Sequence, residues 1–376
     1  MLDRTAARFI GDRMGRSTNR DAAAVRDLRD AGTRLREVAA AYSEGTAACP
    51  GLFFPTPARP LVTETVVSKG HEPGALVVSD LSFASEYVPF LSAAREWYPR
   101  YLANNTVHAR LWRQPIAAGA APRPVMILIH GWGAGEYWMI EQPFETNYWM
   151  HHGFDVCAFV LPFHGARTPD LTGDIAARPL KGLAALGKLA QSPLFPSPNI
   201  VRTNEAFGQA VYDVRALAAY LRHRSGAGDA LPIGVMGMSL GGYTAALWAS
   251  VANDLNFAVA MIPAVSMSEL MWSHGSGTAV RKRARDNGVD EELLEQAFAV
   301  HSPLARPPRL SADRLFVIAG RGDRITPPDQ AVALAAHWGC DVTWFEGGHL
   351  AQVGRHQAFS HVRKQLAAVH VPGVEV

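Results

Sequence analysis

Apolar residues change their spacing along this chain, and each change predicts a different kind of element. Residues 3 to 42 carry Val25, Leu28, Leu35 and Val38 at helical spacing, with glycine and asparagine near 11 to 19 as breaks, which predicts a pair of helices. From Arg59 the pattern turns to short β-rich runs at about 59–68, 75–83 and 107–113, separated by Pro, Gly and Asn. These predict an antiparallel entry to a sheet. After Pro124 the run Val125 to Ile129 is wholly apolar and ends at His130-Gly131, the signature of a strand buried on both faces. Further strands are expected at about 154–160, 232–238, 256–262, 313–319 and 341–345, with helices near 203–223 and 240–251 and a final helix after His349. Such alternation requires βαβ crossovers, so the expected fold is α/β: a mostly parallel central sheet with helices on both faces. Functional residues then belong at the carboxyl ends of the strands.

Two stretches, residues 168–202 and 264–310, break the alternation and read as lid insertions over the strand ends. The expected organisation is an N-terminal helical extension over residues 1–46 and one large α/β domain over 47–376. The extension suits either a packing arm that covers the edge of the core or an arm through which the chain forms an oligomer.

Composition narrows the function classes. With 376 residues, 48% hydrophobic and 19% charged, the chain can bury a sizeable core. A net charge of only +2 and scattered basic residues argue against nucleic acid or an anionic membrane as partner. Residues 1–46 hold no apolar stretch of the length that a signal peptide or a spanning helix needs, so no integral membrane segment is expected. Cys49, Cys157 and Cys340 are odd in number, and the last two lie in apolar runs. A disulfide framework is therefore not expected, and a reducing cytoplasm is the expected compartment. Metal-type Cys/His spacing is absent from the sequence, so neither metal nor cofactor is called for.

Chemistry concentrates at Gly237-Met238-Ser239-Leu240-Gly241, a G-x-S-x-G pattern between an expected strand and an expected helix. In that setting the serine occupies a strained turn, and the glycines remove side chains that would strike the neighbouring backbone. The bland alternative is a serine that merely caps the helix. A serine hydroxyl is a weak nucleophile until a base takes its proton, so a histidine held by a carboxylate is required. His349, in Glu346-Gly347-Gly348-His349, follows the last expected strand, and Asp323 follows the strand before it. Asp341 and Glu346 are also near, but neither follows the penultimate strand. The chain order Ser239, Asp323, His349 is that of α/β-hydrolases and differs from other triad folds.

The glycine-rich loop His130-Gly131-Trp132-Gly133-Ala134-Gly135 follows the first central strand and lets backbone approach a substrate closely. The expected oxyanion donors are the backbone N–H groups of Trp132 and, at the helix start, Leu240. Arg167, in Pro162-Phe163-His164-Gly165-Ala166-Arg167, has two readings: it binds an anionic group of the substrate, or it ties down its own loop through backbone carbonyls. Met267, Met271 and Trp272 in the second insertion are candidate substrate contacts, and Leu180, Leu183, Leu186 and Leu189 form an apolar stripe in the first.

Residues 105 to 370 resemble the α/β-hydrolase superfamily on the strength of Gly237 to Gly241, Asp323 and His349. Tyr137-Trp138, Pro162 to Arg167, Ser239-Leu240-Gly241-Gly242 and Glu346 to Leu350 are similar to the α/β-hydrolase domain-containing protein 18 family. The chain departs from that family at His130-Gly131-Trp132 and at Leu240, where the family usually has methionine. The resemblance implies triad roles for Ser239, Asp323 and His349; a serine nucleophile points to esters, thioesters or amides, of which an ester-type acyl bond of a small molecule is expected, and the insertions point to an apolar acyl ester. An acyltransferase with the same triad and a non-catalytic binding protein of the same fold are the rival readings.

Overall fold

The computed structural model describes residues 3, 31–43, 49–70, 75–116, 120–169, 194–197, 199–274 and 278–369. Its centre is a nine-stranded sheet in the order β1-β2-β3-β5-β4-β6-β7-β8-β9. Strands β1 (Thr63–Lys69), β2 (Val77–Ala84) and β3 (Thr106–Arg113) enter as an antiparallel meander. Strands β4 (Val125–Ile129), β5 (Asp155–Phe159), β6 (Ile233–Met238), β7 (Phe257–Met261), β8 (Leu315–Gly320) and β9 (Val342–Phe345) run parallel to one another. Their carboxyl ends therefore open on one edge, as the alternating pattern required.

Side chains leave a strand alternately to its two faces, and both faces of the parallel strands are covered. Met126 and Leu128 of β4 join one core with Met236 of β6 and Phe257 and Val259 of β7. Helices α2 (Trp138–Phe144), α3 (Thr146–His151) and α10 (Arg355–Ala368) close that side through Phe144, Trp149, Phe359 and Val362. Ile127, Val235 and Ala260 face the other core. Helix α1 (Ala31–Ser43) packs there, with α4 (Ile200–Ser225), α5 (Leu240–Val251), α8 (Glu291–Phe298) and α9 (Pro328–Trp338).

The second insertion is helical: α6 (Met267–His274) and α7 (Thr278–Asp286) lead into α8. Of the first insertion, residues 170–193 and its leucine stripe lie outside the described residues. Of the paired N-terminal helices, Ala31–Ser43 is seen as α1, where Leu35, Ala39 and Tyr42 are buried in the core. The remainder of that segment, Asp3 apart, lies outside the described residues. Among the described residues no helix is long and apolar enough to cross a membrane, and Cys49, Cys157 and Cys340 are all unpaired.

Helix α4 carries an unusual load on its inner face. Glu205, Gln209 and Asp213, spaced four apart, form a polar stripe that is buried rather than solvated. Each is satisfied by the meander side of the sheet, as buried polar groups must be. Glu205 accepts the hydroxyls of Tyr42 and Tyr87, both at 2.7 Å, and the backbone N–H groups of Phe90 and Leu91. Gln209 accepts from Tyr98 at 2.8 Å and Asn104 at 2.7 Å. Asp213 accepts from Ser85 at 2.6 Å and pairs with Arg167 at 2.7 Å, with neither partner exposed at all.

Removing one member of such a pair leaves an uncompensated buried charge. Asp213→Ala is therefore expected to cost about 3–5 kcal/mol of unfolding free energy, measured by urea denaturation. A cost under about 1 kcal/mol, the range of exposed pairs, would show that the pair carries no such weight.

Candidate active site

Ser239 lies between β6 and α5 with φ 58 and ψ −114, a left-handed conformation that a non-glycine residue seldom adopts. Its backbone is held on both sides: the Ser239 N–H donates to Met261 O at 3.0 Å, and Ser239 O accepts from Tyr243 and Ala264. A Cβ on Gly237 would stand 1.9 Å from Gly241 O, and one on Gly241 would stand 1.9 Å from Ile129 O. Only glycine permits the helix to start this close to β4 and β6.

At the end of β8, Asp323 is 1% exposed and fully engaged. Its Oδ1 accepts the N–H groups of Ile325 and Thr326 at 2.8 and 2.9 Å. Its Oδ2 accepts His349 Nδ1 at 2.8 Å and the Thr326 hydroxyl at 2.9 Å. A carboxylate offers no proton in return, so Nδ1 carries the hydrogen and the His349 Nε2 lone pair faces away from the aspartate. Thr326 Oγ1 also lies 3.1 Å from His349 Nδ1 and 3.0 Å from Ile262 O. This threonine braces acid and base together, and motif reading missed it. The available signal was its place three residues after Asp323, the spacing at which an aspartate turns back on the following N–H groups.

The structure thus brings Asp323 and His349 into contact. Among the described residues Ser239 Oγ makes no hydrogen bond, so the serine–histidine link is open here; such bonds often tighten only with substrate bound. Short contacts tie the three loops together: Gln352 Nε2 donates to His349 O at 2.9 Å and reaches Met238 Sδ at 3.5 Å. Thr326 meets Ile262, the neighbour of the Met261 that anchors Ser239.

The glycine-rich loop reaches the same point. A Cβ on Gly131 would lie 3.3 Å from Ser239 Cβ and 3.8 Å from its Oγ. The N–H groups of Trp132 and Leu240 make no backbone hydrogen bond among the described residues, and Leu240 opens α5, where helix N–H groups lack internal partners. Behind the loop, Gly135 and Gly165 approach so closely that a Cβ on Gly135 would lie 2.6 Å from Gly165 N. The fully buried His130 and His164 meet edge to face beside them, with ring centroids 5.1 Å apart.

Three of the candidate substrate contacts are corrected by their surroundings. Arg167 is not exposed and bonds Asn104 O, Val160 O and Asp213, so it ties down its own turn and cannot meet a substrate. Met267 and Trp272 are 5% and 9% exposed and pack into the core, because α6 turns its apolar side inward. Met271 is half-buried against the same core. The expected apolar pocket at Ser239 would be bounded in part by residues 170–193, which lie outside the described residues. A cavity of about 330 Å³ lies between α6 and α7, lined by Trp272, Arg281, Lys282, Arg285 and Asp286.

A prolyl oligopeptidase family model matches residues 203–339, a span that includes Ser239 and Asp323 and stops before His349. Two curated relatives, each described as an uncharacterized protein of a Mycobacterium tuberculosis strain, are 29% identical over 307 residues, which is 80% of this chain. The chain spans 66% of the length of those relatives. Among solved structures, an acetyl xylan esterase from Paenibacillus sp. R4 superposes with a TM-score of 0.57 at 14% identity, covering 89% of this chain and 93% of its own. Acetyl xylan esterase 1 from Thermoanaerobacterium sp. JW/SL YS485 gives 0.51 at 16% identity, covering 81% and 87%. Sheet topology and these two superpositions show the α/β-hydrolase fold.

Burial holds His130, His164 and His301 neutral. Burial pushes His130 from an ordinary 6.5 to about 4, and His164 and His301 to about 3. Folded pKa values below the unfolded ones mean that the unfolded chain binds more protons from about pH 6.5 downwards. Stability is therefore fully present above pH 6.5 and is lost as pH falls toward about 4 and 3. Urea midpoints measured at pH 7, 6 and 5 should fall progressively, and His164→Phe should flatten that slope. Equal midpoints at pH 7 and pH 5 would contradict neutral buried histidines.

Proposed function

We propose that the protein is a serine hydrolase that cleaves ester-type acyl bonds of small molecules through Ser239, His349 and Asp323. The observation that carries this reading is the 2.8 Å bond from His349 Nδ1 to a buried Asp323 beside a serine in a strained strand-to-helix turn. Ser239 Oγ attacks the carbonyl while His349 Nε2 takes its proton, and Asp323 stabilises the imidazolium that forms. The oxyanion accepts hydrogen bonds from the Trp132 and Leu240 N–H groups, reinforced by the positive end of the α5 dipole. His349 then returns the proton to the leaving group, and water releases the acyl-enzyme by the same path in reverse. Oxyanion stabilisation and an activated serine suit acyl transfer and require neither metal nor cofactor.

A second reading, hydrolysis of an amide or peptide bond, is favoured by the prolyl oligopeptidase family match over residues 203–339. The same triad serves both, and the leaving group decides. Parallel turnover of p-nitrophenyl esters, from acetate to long acyl chains, and of p-nitroanilides separates them. Ester turnover that exceeds amide turnover supports the first reading, and a strict preference for anilides replaces it with the second. An apolar acyl group remains our choice, and activity that does not vary with chain length would exclude it.

Ser239→Ala is expected to leave the fold intact while abolishing covalent labelling by a fluorophosphonate. His349→Ala should cost nearly as much, because triad members act as a unit, and Asp323→Asn somewhat less. A Ser239→Ala chain that kept most ester turnover would refute the nucleophile assignment. Thr326→Val removes the hydroxyl between acid and base without changing volume greatly; it should lower kcat by roughly tenfold, the scale at which small misplacements act. Wild-type kcat in that variant would make Thr326 a bystander.

A further inference from the structure

The loop that carries His349 is closed by its own backbone only in part. Gly347 N–H donates to Val353 O at 3.0 Å and Gly348 N–H to Ala351 O at 2.9 Å, while Gly322 N–H crosses from the acid loop to Gly347 O at 3.0 Å. At the apex, the next two donors, the N–H groups of His349 and Leu350, find no acceptor within the loop. Both are taken by one residue more than 340 positions away in sequence: His349 N–H donates to Asp3 Oδ2 at 2.7 Å and Leu350 N–H to Asp3 Oδ1 at 3.2 Å.

We infer that Asp3 is a positioning residue for the proposed general base, clamping the backbone of His349 from the N-terminal segment. This role rests on the triad reading above. The contact is close and specific. Asp3 is 7% exposed, so the carboxylate is largely withdrawn from water and its lone pairs are directed at the two amides. Gly348 leaves the room it needs: a Cβ there would stand 2.2 Å from Asp3 Oδ2. Two successive N–H groups meeting one carboxylate fix the direction of the peptide plane that bears the His349 side chain. The ring is thus held from two sides, by Asp323 through Nδ1 and by Asp3 through the backbone. Without Asp3 two amides at the apex would lose their acceptor, and the loop could rotate the imidazole off the line toward Ser239.

The clamp acts on the geometry of catalysis and not on substrate contacts, which separates it from a residue that simply supports the fold. Asp3→Ala should lower both kcat for p-nitrophenyl acetate and the rate of fluorophosphonate labelling by roughly tenfold, with KM changed by no more than about twofold and a melting temperature lowered by only a few degrees. Asp3→Asn keeps one carbonyl oxygen for one of the two amides and should recover part of the loss. Amide hydrogen exchange supplies a readout independent of activity: in Asp3→Ala the peptide spanning His349 and Leu350 should exchange faster while the central strands stay protected. Wild-type labelling and turnover in Asp3→Ala would overturn the inference, as would unaltered exchange at His349 and Leu350. A loss spread over kcat, KM and the protection of the whole chain would also overturn it, in favour of a general stabilising role. A wild-type chain that the fluorophosphonate does not label sinks the triad reading and this role with it, whereas a labelled wild type beside an unaffected Asp3→Ala sinks the role of Asp3 alone.

Discussion

The meeting of two backbones at the end of β6 is the constraint on which the rest of the site depends. Strand β6 and helix α5 can join in one sharp turn only because Gly237 and Gly241 present no side chain to each other or to Ile129 O. A larger residue at either position would push α5 away from β4 and β6 and relax Ser239 from its left-handed conformation. The same closeness sets the start of α5, with Leu240 as its first residue, next to the place where Gly131 approaches Ser239. Strain at the serine, unpaired donors and the glycine-rich loop are one geometric solution, not separate features.

Support for that solution comes from a polar network buried in the interior. The stripe Glu205, Gln209 and Asp213 on α4 binds the segment from Ser85 to Asn104 and, through Arg167, the turn after β5. That turn presents Gly165 to Gly135 of the glycine-rich loop. The chain of contacts therefore runs from a buried ion pair through two interlocked glycines to the loop beside Ser239. The Glu205, Gln209 and Asp213 side chains of that stripe are all hydrogen-bonded, the condition under which buried polar networks specify one arrangement instead of weakening the core. Neutral His130 fits the same logic: it accepts from Leu161 N–H at Nε2 and donates from Nδ1 to Gly131 O, so the loop and the turn share one hydrogen-bonded histidine.

Histidine placement in the site is likewise decided by more than its motif. Asp323 is loaded with four donors, three from its own turn, which fixes the carboxylate before it meets His349. Thr326 joins that carboxylate to the carbonyl of Ile262, a β-branched residue with φ 38 at the end of β7. Strain at Ile262 and at Ser239 thus lies on adjacent strand ends, where the surrounding bonds over-determine both conformations.

Local signals made much of this protein legible in its sequence. Apolar runs of five or six residues marked β4 through β8 because a strand covered on both faces has no polar side to interrupt it. The G-x-S-x-G turn and the placement of Asp323 and His349 after successive strands could be read because backbone sterics and strand order act within a few residues. What lay beyond reach were partnerships made across the chain. A polar stripe at helical spacing on α4 reads as a solvated face, and only tertiary packing turned it inward, where partners 46 to 163 residues away repay its desolvation. Arg167 carried two readings in sequence, and the burial of Asp213 opposite it chose between them. Met267 and Trp272 looked like lid residues because apolar spacing does not say which surface a helix turns toward, and the core took them. Thr326 offered only its spacing after Asp323, and Asp3 offered no motif; the contacts of both depend on where the fold leaves a distant backbone N–H or carbonyl to be met, which lies beyond the reach of neighbours in sequence.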